Sequence, residues 1–228
     1  MRGYAICTEP RSGSVFLSRV LTSTGVLGRP NEYFNVVTMR IGRFGRPDYP
    51  SDREQQLAAI PRLGATPNGV YGLKIFSDEF DALKPIRWAE RLPALSFIHL
   101  ERHDLLGQAI SHVRAAQTQQ WTSVQPAQGA PVYDYDLINN EIIRLARAHT
   151  RWRYFFARNG LPVLNLVYER VMRAPQETAE AVARLVGLAD LPRVDIDTVA
   201  GLAIQRDAVT EDWRARFLSR SRDLGTFH

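Results

Sequence analysis

From Tyr4 to Leu17 the chain reads Tyr-Ala-Ile-Cys-Thr-Glu-Pro-Arg-Ser-Gly-Ser-Val-Phe-Leu, and no other stretch constrains the fold as much. The apolar run Tyr4–Thr8 predicts a short buried strand. Arg11-Ser12-Gly13-Ser14 predicts a tight turn, and the residues after it the first turn of an amphipathic helix. Such a turn aims backbone N–H groups at one point before a helix N-terminus, where they have no intrahelical partner and the helix dipole favours negative charge. Gly13 lets the backbone approach a ligand closely, and the Ser12 and Ser14 hydroxyls offer donors. Arg11 brings a forked cation suited to phosphate or sulfate oxygens. The segment is therefore a candidate site for the anionic group of a nucleotide.

The rest of the chain repeats the strand–helix alternation. A helix over Ser14–Thr24 ends at Gly25, and a loop with three glycines and three prolines covers Val26–Pro50. Ser51-Asp52-Arg53-Glu54 reads as a capping box for a helix ending near Gly64. Strands are predicted at Val70–Phe76, Ala94–Leu100 and Pro162–Tyr168. Helices are predicted at Ser77–Arg91 (bent or divided by Pro85), Asp104–Gln120, Leu137–Asn159, Pro175–Val186 and Thr210–Leu218. A polar loop takes Trp121–Asp134. This order predicts an α/β fold, a parallel sheet with helices on both faces in three layers. With 228 residues, 45% of them apolar, one such domain over 1–228 is expected. Ligands of these sheets bind at the carboxyl ends of the strands. The Arg-Ser-Gly-Ser turn, Lys74, Arg102 and Tyr168-Glu169 would all face that edge.

Several function classes are disfavoured. The loop has no lysine after its glycine and no later aspartate placed as a magnesium ligand, unlike a nucleoside-triphosphatase loop. It suits a donor that is already activated and needs no metal. No Gly-x-Ser-x-Gly elbow marks a serine hydrolase. His99 and His103 lie four apart but straddle a strand end, so they read as ordinary histidines rather than metal ligands. Cys7 is the only cysteine, which removes intramolecular disulfides. No apolar run reaches membrane-span length and the chain enters its first strand at once, so a cytoplasmic protein without membrane insertion is expected. The net charge of +5 is almost all arginine, since Lys74 and Lys84 are the only lysines. These arginines are scattered and not interleaved with aromatic platforms, against nucleic-acid binding. A non-catalytic nucleotide- or nucleic-acid-binding α/β protein stands as the alternative to an enzyme.

Two further groups carry chemistry. Arg102 precedes a helix start, and Ser111 lies about 10 Å along that helix, so a phosphate over the helix start could meet both. Glu32 sits in Pro30-Asn31-Glu32-Tyr33-Phe34, where two rings would desolvate its carboxylate, raise its pKa and improve it as a base.

The strand followed by Arg11-Ser12-Gly13-Ser14 resembles the 5′-phosphosulfate loop of sulfotransferases, in particular the bacterial trehalose 2-sulfotransferase family. Five more stretches are similar in the same order: Gly28–Phe34, Thr66–Lys74, His99–Arg102, Gln108–Thr118 and Thr210–Trp213. The resemblance covers most of the chain and implies a P-loop-like sulfotransferase fold. It implies transfer of a sulfuryl group from 3′-phosphoadenosine 5′-phosphosulfate (PAPS) to a hydroxyl, without a metal. In that reading Arg11, Ser12, Gly13, Ser14 and Val15 hold the 5′-phosphosulfate, although Val15 replaces a threonine usual there. Arg102 and Ser111 hold the 3′-phosphate. Glu32 matches the proposed general base, and Lys74 and Arg11 support the transferring group. His103 and Gly107 replace residues commonly Pro and Ser. Ile204-Gln205 stands where Arg-Gln is usual, and Arg206 is assigned to a donor lid within a tail over 189–228. A small-molecule or carbohydrate acceptor is implied, with Tyr33, Phe34, Arg114, Gln117 and Trp121 assigned to it, and Phe44 and Trp88 as further stacking rings. Segments 35–63 and 121–134 would shape its pocket. The residues leave the oligomeric state open; dimers are the family's habit, so a homodimer is what the resemblance alone implies.

Overall fold

Four apolar runs form the strands β1 (Arg2–Thr8), β2 (Val70–Phe76), β3 (Leu95–Glu101) and β4 (Val163–Val167) of the computed structural model. All pair in parallel, in spatial order β2-β1-β3-β4. The structure describes residues 1–41, 45–121, 126–197 and 208–221. Its helices are α1 (Ser14–Ser23), α2 (Val36–Ile41), α3 (Arg53–Gly64), α4 (Phe80–Leu83), α5 (Trp88–Arg91), α6 (Leu105–Thr118), α7 (Tyr135–Arg158), α8 (Tyr168–Arg173), α9 (Pro175–Leu185) and α10 (Ala208–Arg220). Among the described residues no helix is long and apolar enough to cross a membrane.

The chain forms two compact units, one of Met1–His103 with Ala148–Gly201, the other of Asp104–Arg147 with Leu202–His228. The first holds the sheet. Successive strand side chains alternate between faces, and here both faces are covered. Ala5, Cys7, Leu73, Ile75 and Phe97 point to one face and pack with Leu57 and Ile60 of α3 and Trp152 and Phe156 of α7. Tyr4, Ile6, Ile98 and Leu100 point to the other and pack with Leu17, Val20 and Leu21 of α1 and Ala179 and Val182 of α9. The expected three-layer α/β arrangement is thus the one observed. Cys7 is buried in the central strand, where desolvation pushes its thiol well up. In the second unit Ala109, Ile110 and Val113 of α6 pack with Ile138 and Leu145 of α7 and Trp213 and Phe217 of α10. Tyr135 stacks on Phe217, and the Arg216 guanidinium covers Tyr133 at 3.8 Å.

Local differences from the sequence reading have identifiable causes. Pro85 and its neighbours divide Ser77–Arg91 into two 3₁₀ turns, α4 and α5, with Arg87 left-handed at φ 49°. The N-cap of α3 is Asp52, accepting from the Gln55 N–H at 2.9 Å, so the capping pattern lies one residue later than expected. The expected loop over Val26–Pro50 contains α2, anchored by buried Met39. The sequence reading assigns no helix between the fourth strand and Pro175, yet α8 forms there; its six residues end at Arg173, just before Ala174 and the Pro175 that opens the next helix.

The free edge of β2 is not left open. The segment Gly28–Asn31 lies along it, with Lys74 N–H donating to the Asn31 carbonyl at 2.8 Å and Arg29 N–H to Gly64 at 2.7 Å. Gly28 has φ 75°, and a Cβ there would lie 2.8 Å from the Gly72 nitrogen and 2.9 Å from the Tyr71 carbonyl carbon. Gly25 has a similar φ of 70° but nothing within 4 Å. Gly25→Ala should therefore cost only the left-handed strain, about 1–2 kcal/mol. Gly28→Ala should add backbone overpacking and cost about 3–4 kcal/mol in urea unfolding. Equal losses in the two variants would show that the strap yields and does not pack tightly.

Candidate active site

The turn after β1 is pinned from below before it presents anything outward. Thr8 Oγ1 donates to the Leu100 carbonyl at 2.7 Å and therefore accepts from Ser12 Oγ, also at 2.7 Å. Ser12 is wholly buried, so its hydroxyl proton is spent inward and is not offered to a ligand. Glu9, equally buried, accepts from the Ser77 N–H at 3.1 Å and the Trp152 indole N–H at 3.3 Å. These bonds tie the turn to the ends of β2 and β3 and to α7.

The outward side is different. Arg11 and Gly13 both have positive φ, 61° and 83°. Gly13 is required twice over, since a Cβ would come within 2.0 Å of the Tyr168 ring. Gly13 is also the N-cap of α1, with no side-chain cap and no acidic residue in the first turn. The N–H groups of Ser14, Val15 and Phe16 have no acceptor within the helix and the dipole is not offset, which suits an incoming anion.

Two other strand ends converge on this turn. Arg102, directly after β3, donates from a terminal nitrogen to the Arg11 carbonyl at 3.3 Å. Its guanidinium lies 5.4 Å from the centre of the Tyr168 ring, which follows β4. Tyr168 thus backs Gly13 and Arg102 at once. His103 N–H donates to Glu169 at 3.2 Å, closing the same edge. β1 lies between β2 and β3, so the turn sits where chain connections leave in opposite directions, the usual ligand position in such sheets.

Glu32 and Lys74 form a largely buried charged pair in this unit. Lys74 lies inside β2, two residues before its end and not after it, on the sheet face that Val70 shares with α1. Its ammonium is buried and lies 2.7 Å from Glu32 Oε1. Glu32 Oε2 accepts from Asn35 and Thr38, each at 3.1 Å. Burial alone would raise the Glu32 pKa, as expected from its sequence neighbours. The Lys74 charge and the three hydrogen bonds overcome it, and the carboxyl titrates below the ordinary range. The two rings do not make its environment apolar, because they point elsewhere. Tyr33 donates to the Arg29 carbonyl from the core, and buried Phe34 meets buried Trp88 edge-on. These three rings, assigned to the acceptor, are core residues.

Glu79 escaped the sequence reading. It follows β2, and burial, then Asp78 and Glu32, push its carboxyl up to about 7. Its signal, Asp78-Glu79 after an apolar run, is too ordinary to single out.

In the second unit, Ser111 is half-buried on α6. Arg114 donates to Thr210 Oγ1. Gln117 clasps the Val132 backbone at both amide ends, 2.9 and 3.0 Å, which makes it a loop clamp. Trp121 is partly exposed with its ring 5.6 Å from that of His112, whose Nδ1 meets Glu141 at 2.9 Å. Gly107 has a physical reason: a Cβ would fall 2.1 Å from the Asp104 carboxylate that caps α6 and binds Arg214. Arg206 and Phe44 lie outside the described residues.

A sequence model described as Stf0 sulphotransferase matches residues 3–220, so the chain belongs to that family and is a sulfotransferase. The match takes in segments of both units. The chain is also similar to the trehalose 2-sulfotransferase of Mycobacterium tuberculosis, 26% identical over 99% of this chain and 97% of the relative. The trehalose 2-sulfotransferase of Mycolicibacterium smegmatis is 27% identical over 94% and 93%.

Lys74→Met leaves Glu32 buried without its cation. NMR titration should then find the Glu32 carboxyl above the ordinary range of about 4.3. In the wild type the pair stabilises the fold above that range and loses its contribution as pH falls through the depressed value. The variant should lack this acid-side loss; an unmoved Glu32 midpoint would show that Lys74 does not set its charge.

Proposed function

We propose that the chain transfers a sulfuryl group from PAPS to a hydroxyl of a carbohydrate or glycolipid acceptor. The observation that carries this reading is the bond from Arg102 to the Arg11 main chain. It sets the arginine matched to the 3′-phosphate beside the turn matched to the 5′-phosphosulfate. A doubly anionic nucleotide is the ligand that would use both. The residues fit it: a left-handed turn, uncapped N–H groups of α1, two guanidinium groups and no acidic residue in the first turn.

The donor supplies an already activated sulfuryl group. Arg11 and the N–H groups of Ser14 and Val15 would balance charge on the equatorial and bridging oxygens, and such preorganised charge is usually the largest catalytic contribution. Ser12 contributes through the turn it pins, and Gly13 through the approach it allows. Glu32 is ionised at neutral pH and accepts the proton of the acceptor hydroxyl as that oxygen attacks sulfur in line. Lys74 holds Oε1 of Glu32 and keeps it ionised between turnovers. The assignments of Ser111 and Arg206 to the donor, and of Arg114, Gln117, Trp121 and segments 35–63 and 121–134 to the acceptor, rest on the resemblance alone. The carbohydrate acceptor class rests on the relatives, both named for trehalose.

Glu32→Gln should lower turnover of labelled sulfate by about 10²–10⁴-fold, the usual share of a general base. Binding of adenosine 3′,5′-bisphosphate, read as a rise in melting temperature, should persist. Arg102→Ala should lose that rise. Unchanged turnover in Glu32→Gln would remove it as the base, and a bisphosphate shift surviving in Arg102→Ala would overturn the donor assignment.

A further inference from the structure

On the sheet face away from α1, three side chains of the first unit gather at the end of β3 with no counterpart in the sulfuryl-transfer chemistry. His99 and Glu101 are two apart on β3 and so share a face. His149 comes from α7 and is buried with His99. His149 Nδ1 lies 3.3 Å from His99 Nε2. Glu101 Oε1 lies 3.8 Å from His99 Nε2 and 3.7 Å from His149 Nδ1. The two carboxylate distances are too long for hydrogen bonds, and the contact between the rings is long for one. The atoms nonetheless form a nearly equilateral triangle.

The geometry points to a binding site for a zinc-class divalent transition-metal ion on His99, Glu101 and His149. A point in the plane of the three atoms lies about 2.1 Å from each, within the roughly 2.0–2.2 Å of zinc bonds to imidazole nitrogen and carboxylate oxygen. Two imidazoles with one carboxylate suit zinc, cobalt, nickel or copper and not magnesium or calcium. Neutral imidazole is the ligand form. His99 and His149 are both buried, which favours that uncharged form. Glu101 is the partly exposed member, leaving a side from which an ion and its water can enter.

One group opposes the ion. Arg153, four residues after His149 and largely exposed, donates to Oε1 of Glu101 at 2.9 Å and to Oε2 at 3.0 Å. It competes for the oxygen the ion would take and adds like charge beside it. Its stem can swing into solvent, so it tunes the site without closing it. An ion here would clip β3 to α7 and stabilise the fold. The partner of His99 is thus His149, not His103, whose backbone is tied to Glu169.

The test uses the full chain, stripped with a chelator and titrated with Co²⁺ as a visible probe. One equivalent should bind with d–d absorption of a low-coordinate nitrogen–oxygen site, and Zn²⁺ should displace it and raise the melting temperature. Glu101→Ala and His149→Ala should each weaken Co²⁺ at least about tenfold, the least expected on losing one of three ligands. Circular dichroism should show both variants folded, and Glu101→Ala, at the partly exposed position, carries the test if His149→Ala does not fold. Arg153→Ala should bind Co²⁺ more tightly than the wild type. No stoichiometric Co²⁺ binding below millimolar concentration would overturn the site, as would wild-type affinity in a folded Glu101→Ala. Because sulfuryl transfer uses none of these residues, loss of the metal site would leave the donor assignment intact.

Discussion

The chain must turn from the end of a buried strand into a helix between Thr8 and Ser14, and the Thr8 hydroxyl makes that turn hold its shape. Two residues of the turn are left-handed, and one of them, Arg11, has a side chain that disfavours that conformation. Such backbone persists only where its surroundings over-determine it. Thr8 bonds both Ser12 within the turn and Leu100 on β3, while Glu9 bonds Ser77 after β2 and Trp152 on α7. The turn is thereby fixed to three other elements. Everything it offers a ligand follows from that anchorage: the direction of the α1 N–H groups, the position of Arg11, and the Arg11 carbonyl on which Arg102 rests.

A division of labour within the motif follows. The serines flanking Gly13 look alike in sequence but are placed differently. Ser12 faces the core and is consumed by Thr8, whereas Ser14, also buried, is the first residue of α1. Val15, at the first turn and substantially exposed, offers a ligand only its main chain. In the proposed donor site the motif would therefore act mainly through its backbone. Tyr168 adds a wall that no spacing rule would have supplied, since its ring occupies the space a side chain at position 13 would need.

The fold was legible because its strands are near-continuous apolar runs bounded by turn residues. The predicted bounds of β2 match those observed, and those of β1, β3 and β4 differ by a few residues at most. The turn from β1 into α1 was legible for the same reason, being local. What sequence could not supply were pairings between distant segments. Tyr33 and Phe34 look like a binding platform beside Glu32, yet they fill the core, because α2 and α3 draw that segment down onto the sheet. Proximity in sequence suggested desolvation of Glu32; its electrostatics are set by Lys74, forty-odd positions away. The pairing of His99 with His149 across fifty positions was invisible for the same reason, whereas His103, near in sequence, attracted attention it does not merit.

The choice of lysine at position 74 has a physical basis in a chain that otherwise relies on arginine. Only Lys74 and Lys84 break that habit, and Lys84 lies on the surface. A cation inside a strand must reach Glu32 from a backbone already committed to β1 on one side and Asn31 on the other. A compact ammonium on an unbranched stem fits that path and meets one carboxylate oxygen, leaving the other to Asn35 and Thr38. A guanidinium is wider, is disposed to take both oxygens at once and would bring more donors than this space can satisfy. Arginine suits a broad oxyanion approached from solvent, the partner proposed for Arg11 and Arg102. Lysine suits a place where a single point of charge must meet one carboxylate oxygen and keep the carboxyl ionised.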